Sequence, residues 1–171
     1  MEEDHVDRFI ASLPGDLGID PAVEGIVDRI NGLGRRFRRM AEETLAERGL
    51  SFGEYKVLGY LRHRQPEPRA SAGALAKWTE LSSSAMTNRL DQLEKAGVVK
   101  RVPDPDDRRG VLVELTGKGR QIYDEAVGAQ AEAEKLMASA LGARDQEQLN
   151  ALLRRLMLAF EAVEAERKKH P

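Results

Sequence analysis

Cysteine is absent from the 171 residues. That excludes disulfides, thiol nucleophiles and cysteine-ligated zinc or iron–sulfur centres. Histidine is scarce: His5, His63 and His170 stand far apart, and no His-x-x-x-His pair offers a metal site. Long apolar runs are missing too, with none near the ~20 residues that span a bilayer. The opening MEEDHVDRF is acidic, where a secretory leader is basic and then apolar. The expectation is a cytoplasmic protein with no cofactor, no metal and no membrane partner.

Catalytic patterns are equally thin. LTGKGR lacks the first glycine and the Ser/Thr of a phosphate-binding loop. Its glycines are read instead as easing a strand-to-helix junction. Asp104, Asp106 and Asp107 lack the glycine and distant glutamate of a calcium loop and sit beside arginines. Ser82–Ser84 has no histidine in a nucleophile arrangement. The chain does not read as an enzyme.

What is present is charge, at 33% of residues, with a net value of only -2. Any nucleic-acid surface must then be a local basic patch. Helical spacing of Val6, Phe9, Ile10 and Leu13 predicts a short helix over 4–13. Residues 14–21 form a connection. Asp20-Pro21 opens a long helix running to about Glu47, with Val23, Ile26, Val27, Ile30, Leu33 and Phe37 in one stripe. Gly32 and Gly34 inside it serve close helix packing or are local weak points. Ser51 and Glu54 form a capping box for the next helix, which Gln65-Pro66-Glu67-Pro68 ends. His63 falls at its end.

Ser71 caps a short helix with Leu75, Ala76 and Trp78, a turn follows at Thr79–Leu81, and Ser82 or Ser83 caps a longer helix to Ala96. Residues 98–102 and 111–115 read as strands around the polar loop PDPDDRRG. Thr116 caps a helix to about Ala140, Gly142 breaks it, and a last helix spans about Asp145–Glu166. Leu149, Leu152, Leu153, Leu156, Phe160 and Val163 give that helix a stripe too rich for one facing only water.

This order predicts a mainly α fold with a small β-hairpin: a winged helix-turn-helix with N- and C-terminal dimerisation helices. The expected segments are 1–48 and 117–171 for dimerisation and 49–116 for the DNA-binding lobe. In the second helix of the helix-turn-helix, Met86, Leu90 and Leu93 face the core. Ser82, Ser83, Ser84, Thr87 and Asn88 are slim, polar and suited to a major groove, with Arg89 adding charge. Ser71 joins them as a helix cap near phosphate. At the wing tip, Arg109 can enter a minor groove, Asp107 can hold its guanidinium, and Arg108 can meet phosphate. A merely solvated helix face and a charged hairpin edge are the bland alternatives.

The run PDPDDRRGVLVELTGKGR resembles the wing of the MarR family through Asp107, Arg109, Leu115, Thr116, Gly119 and Arg120. SAGALAKWTELSSSAMTNRLDQLEKAGVVKR is similar to that family's helix-turn-helix. The resemblance covers 51–120 closely and the flanks by architecture. It implies a homodimer binding pseudo-palindromic double-stranded DNA, acting as a repressor and released by a small-molecule effector. The extra N-terminal helix is similar to the urate-responsive branch. There Asn88 and Arg101 match polar positions, while Phe9 and Lys56 stand where that branch carries tryptophan and aspartate. The lysine reverses a charge where the ligand would be sensed, which argues against urate; Phe9, Lys56 and Arg101 are the candidate ligand residues, and an anionic ligand meeting Lys56 stands against a solvated or salt-bridged lysine. A winged-helix protein-interaction module without specific DNA binding is the second reading.

Overall fold

Six of the seven helix starts among the described residues are written into the chain as a side chain that takes up free backbone N–H groups. In the computed structural model, which describes residues 2–15, 18–64 and 67–169, Asp4 caps α1 (His5–Ala11). Its Oδ1 accepts from the Val6 and Asp7 amides, and Asp7 returns a bond to the Asp4 amide. Asp20 caps α2 (Pro21–Ala46), where proline occupies a position whose missing N–H costs nothing. Ser51 and Glu54 close the capping box of α3 (Phe52–His63). Ser71 caps α4 (Ala72–Thr79) and Ser82 caps α5 (Ser83–Lys95). Thr116 caps α6 (Gly117–Ala138) by accepting from the Gly119 amide at 3.0 Å. The last helix, α7, is Ala143–Lys169. The proposed connection and helix stop at Gly15-Asp16-Leu17 and Gln65-Pro66, like His170, lie partly or wholly outside the described residues.

The hairpin is larger than the sequence suggests. Strands β2 (Val99–Pro103) and β3 (Val111–Leu115) pair antiparallel, with Arg101 opposite Val113. A third strand, β1 (Arg69–Ser71), adds to the other edge of β3, with Ala70 opposite Val113, giving the order β1-β3-β2. Three residues that end on a helix cap carry no readable alternation. The third strand turns the wing into a sheet whose central strand is paired on both sides, which fixes its register.

Two compact units make up the chain, Met1–Gln130 and Ala131–Pro171. In the first, one core joins Leu45 and Leu50 to Val57, Leu58 and Leu61 of α3, Leu75 of α4, Met86, Leu90 and Leu93 of α5, and Val99, Val113 and Leu115 of the sheet. Tyr123 and Ala126 of α6 complete it. Gly119 reaches the sheet closely enough that a Cβ would lie 2.0 Å from the Val98 carbonyl oxygen. That contact is why the junction after β3 needs glycine. α1 lies on α2 through buried Val6, and Arg29 of α2 grips Asp4 and Asp7 at 2.9 and 2.6 Å. Gly32 is buried below His5, so of the two glycines read as packing sites it makes the close approach; Gly34 meets nothing within 4 Å.

In the second unit, Gln146 Nε2 donates to the carbonyls of Ala138 and Leu141, both at 3.0 Å, and so closes the end of α6. α7 buries none of its residues in the single chain.

Candidate nucleic-acid interface

The helix-turn-helix is built from α4 and α5. Thr79 ends α4 with its hydroxyl donating to the Leu75 carbonyl at 2.7 Å, inside the core. Glu80 then takes the left-handed conformation, φ 57° and ψ 34°, that terminates the helix. A non-glycine residue accepts some strain there. The Leu81 amide donates back to the Ala76 carbonyl at 3.0 Å, which fixes the turn into α5.

On α5, Met86, Leu90 and Leu93 are buried and hold the helix to the core. Ser82, Ser83, Ser84, Thr87 and Asn88 are all exposed on its N-terminal half. Several of these side chains are internally engaged. Ser82 Oγ accepts from the Ala85 amide and lies 3.2 Å from Ser84 Oγ, while Thr87 Oγ1 donates to the Ser83 carbonyl at 2.9 Å. The Asn88 amide has no hydrogen-bond partner among the described residues and is available to a base edge. The first backbone N–H groups of the helix are free for a phosphate. Ser71 is exposed, but its hydroxyl accepts the Ala74 amide as a cap. Arg89 turns inward over α3: a Cβ on Gly53 would lie 2.1 Å from its Nη1. Its charge bears on the α3 start more than on the outer face of α5.

The wing loop is ordered by its own acids. Asp104 Oδ1 accepts from the Asp106 amide at 3.0 Å, and the Gly110 amide donates to the Asp107 carbonyl at 2.8 Å. Asp107 Oδ1 accepts the backbone N–H of Arg109 at 2.9 Å. The expected clamp on the Arg109 guanidinium is therefore replaced by a backbone bond. A short carboxylate reaches the amide two residues on more readily than a flexible guanidinium. Among the described residues, neither Arg108 nor Arg109 takes an ion-pair partner. Both guanidiniums project from a loop whose backbone is fixed.

Sequence reading missed what holds α5 to the wing. Arg101 on β2 binds Asp91 of α5 at 2.6 Å and also pairs with Glu94, whose Oε1 accepts the Arg101 amide at 3.1 Å. The hydrogen bond that Arg101 donates to Asp91 leads the causes that raise the Arg101 pKa above its ordinary value, and Glu94 adds to it. Asp91 and Glu94 stand three residues apart on one helix face, which was visible, but their common partner lies across a turn and a strand.

The three residues expected to share a ligand are dispersed. Phe9 is half-exposed on α1, and Arg101 is engaged by α5. Lys56 lines a recess of ≈ 520 Å³ with Tyr55, Tyr60, His63, Trp78 and Tyr123. Its Nζ sits 5.3 Å from the centre of the Trp78 ring. Tyr55 stacks on Tyr123 at 5.3 Å, and His63 Nε2 lies 3.0 Å from the Tyr123 hydroxyl. Burial first, then the adjacent Tyr55, pushes the Tyr123 pKa up to about 12.

Known proteins resemble this chain in sequence and in fold. The signature of the MarR family matches residues 48–110. The chain is 30% identical over 142 residues to the HTH-type transcriptional regulator PecS of Dickeya dadantii, covering 82% of this chain and 84% of PecS. It is 33% identical over 87 residues to the multiple antibiotic resistance protein MarR of Escherichia coli, covering 51% of this chain and 58% of that one. Among solved structures, a mutant E. coli MarR complexed with operator DNA superposes with a TM-score of 0.61 at 26% identity, over 77% of this chain and 92% of that one. YusO of Bacillus subtilis, at 20% identity and a TM-score of 0.70 over 83% of this chain and 99% of that one, shares the fold.

Proposed function

Because the chain belongs to the MarR family of DNA-binding transcriptional regulators, and is not an enzyme, we propose that it represses transcription as a homodimer on a pseudo-palindromic operator. The observation that carries this reading is the exposed polar start of α5 beside a wing with two free guanidiniums. Ser83, Ser84, Thr87 and Asn88 meet the major groove, with Ser71 and Ser82 near phosphate as helix caps. Arg109 enters the minor groove and Arg108 meets phosphate, on a loop ordered by Asp107. Arg89 acts from behind, by steadying the α3–α5 contact. Residues 49–116 form the DNA-binding lobe, and 1–48 with 117–171 supply dimer surface.

Dimerisation is supported by apolar surface that no single chain covers. On α2, Val23, Ile26 and Leu33 are 55, 53 and 51% exposed, and on α7 Phe160 and Met157 are 67 and 61% exposed. Stripes of this size on a soluble protein ask for a partner, and a second copy is the one the symmetry of an operator requires.

A small effector fits the Lys56 recess. Aromatic walls with the Lys56 ammonium and the Arg64 guanidinium suit a planar anion, and binding there bears on α3 and α4, next to the reading helix. Phe9 and Arg101 lie outside that recess. The test is a selection of genomic fragments with purified protein at moderate salt. Enrichment of a pseudo-palindrome with half-sites about one helical turn apart is the expected outcome. Binding without sequence preference, lost steeply as salt rises, contradicts it and favours a protein-docking winged helix.

A further inference from the structure

Beyond the DNA-binding face, we infer that α1 and α2 form a site for a small polyphosphate anion, held by Arg35, Arg36 and Arg39 with His5 at its rim. These residues and Gly32 line a recess of ≈ 370 Å³. Gly32 makes the recess possible, since any larger residue would push toward Arg36 Nη1, 3.2 Å from its Cβ position, and toward the His5 ring.

Among the described residues, none of these arginines makes an ion pair. Arg36 donates one bond to the Gly32 carbonyl at 3.2 Å, leaving its other N–H groups free. Arg35 and Arg39 have no hydrogen-bond or ion-pair partner among the described residues. Of the neighbouring acids, Asp4 and Asp7 pair with Arg29 and Glu42 pairs with Arg38 at 3.0 Å, while Glu2 and Glu3 make no ion pair among the described residues. Glu43, one turn beyond Arg39, makes no ion pair with it among the described residues. Like charges at three- and four-residue spacing destabilise a helix. Keeping three together without a carboxylate is a cost that a bound anion removes.

Guanidinium forks match phosphate oxygens in pairs. Arg35 to Arg39 spans roughly 6 Å along the helix axis, which asks for an anion longer than one phosphate. With 3.6 residues per turn, this trio falls on the side of α2 away from Val23, Ile26, Ile30 and Phe37. Self-association through that apolar stripe therefore leaves the site open. Phosphate could also come from a DNA backbone; a free di- or triphosphate is favoured because the site is a recess and not a ridge.

The test is calorimetric titration of the full chain with inorganic triphosphate, beside thermal melting with and without it. The parent protein is expected to bind and to melt higher with the anion. The double variant Arg35→Gln/Arg39→Gln is expected to bind at least about tenfold more weakly, and to melt no lower than the parent when free, because repulsion is relieved. Operator-duplex affinity of the variant should match that of the parent. No binding by the parent, or equal triphosphate affinity in the variant, overturns the proposal. Loss of duplex affinity in the variant with no triphosphate binding by the parent assigns the arginines to DNA backbone and overturns it as well.

Discussion

The lobe around α3–α5 and the long helices α2 and α7 use the same apolar residue types to opposite ends. In the lobe, Leu58, Leu61, Leu75 and Met86 are fully buried within one chain. On α7, Leu149, Leu152, Leu153 and Leu156 are each 40–47% exposed. The lobe closes its core alone, and the helices leave theirs open. In the proposed dimer, a lobe that reads DNA has to be rigid by itself, whereas the surface that would set the spacing of two lobes would be completed by a partner.

Substitutions should separate these two kinds of leucine. Leu90→Ala removes a buried side chain that holds α5, and should destabilise the protein by about 2–5 kcal/mol in denaturant unfolding. Leu153→Glu/Leu156→Glu on α7 should instead leave the lobe folded and weaken self-association by about 2–4 kcal/mol. Sedimentation equilibrium reads this as a shift toward monomer; an unchanged mass distribution contradicts the assignment of α7 to the interface.

Smaller effects sharpen the picture inside the lobe. Arg109→Ala should lower operator affinity by about 1–3 kcal/mol while leaving the melting midpoint unchanged. An unaltered binding isotherm removes the wing from the interface. Arg101→Met frees Asp91 and Glu94, and should cost at most about 1 kcal/mol of stability, because the ion pairs are partly solvated. Its operator affinity should fall although Arg101 is engaged by α5 and is not among the residues proposed to meet DNA, and duplex binding by the variant with full affinity would rule out a positioning role.

The smallest expected effect concerns Tyr123. Its folded pKa of about 12 stands above the ordinary value of 10.0 for a tyrosine phenol. The folded state then holds the proton more tightly, so this contribution is intact below pH 10 and is lost as pH rises toward 12. Denaturant midpoints should fall across that window more in the parent than in Tyr123→Phe. Identical curves count against a buried phenol under α3.

Much of this was legible because local chemistry decides it. Asp20, Ser51, Ser71, Ser82 and Thr116 each announce a helix start within four residues, and the structure uses all five as caps. The period of Met86, Leu90 and Leu93 gave the buried face of α5 for the same reason. What escaped depends on distant partners. β1 exists only because β3 offers it an edge. Arg101 was read as a ligand residue because it matches a polar position of the urate-responsive branch, whereas its pairing with two carboxylates of α5 crosses a turn and a strand. Asp107 was correctly placed at the wing tip, but a carboxylate choosing between a guanidinium and a nearer amide is decided by loop geometry, which spacing does not encode.

The most direct test of the central claim is the mass of the complex between the full chain and one selected pseudo-palindromic duplex, measured by light scattering. Two chains on each duplex, reduced to weak binding when one half-site is scrambled, is the predicted result. One chain bound to each duplex, with scrambling of a half-site without effect, would contradict a dimer that reads both halves of its operator.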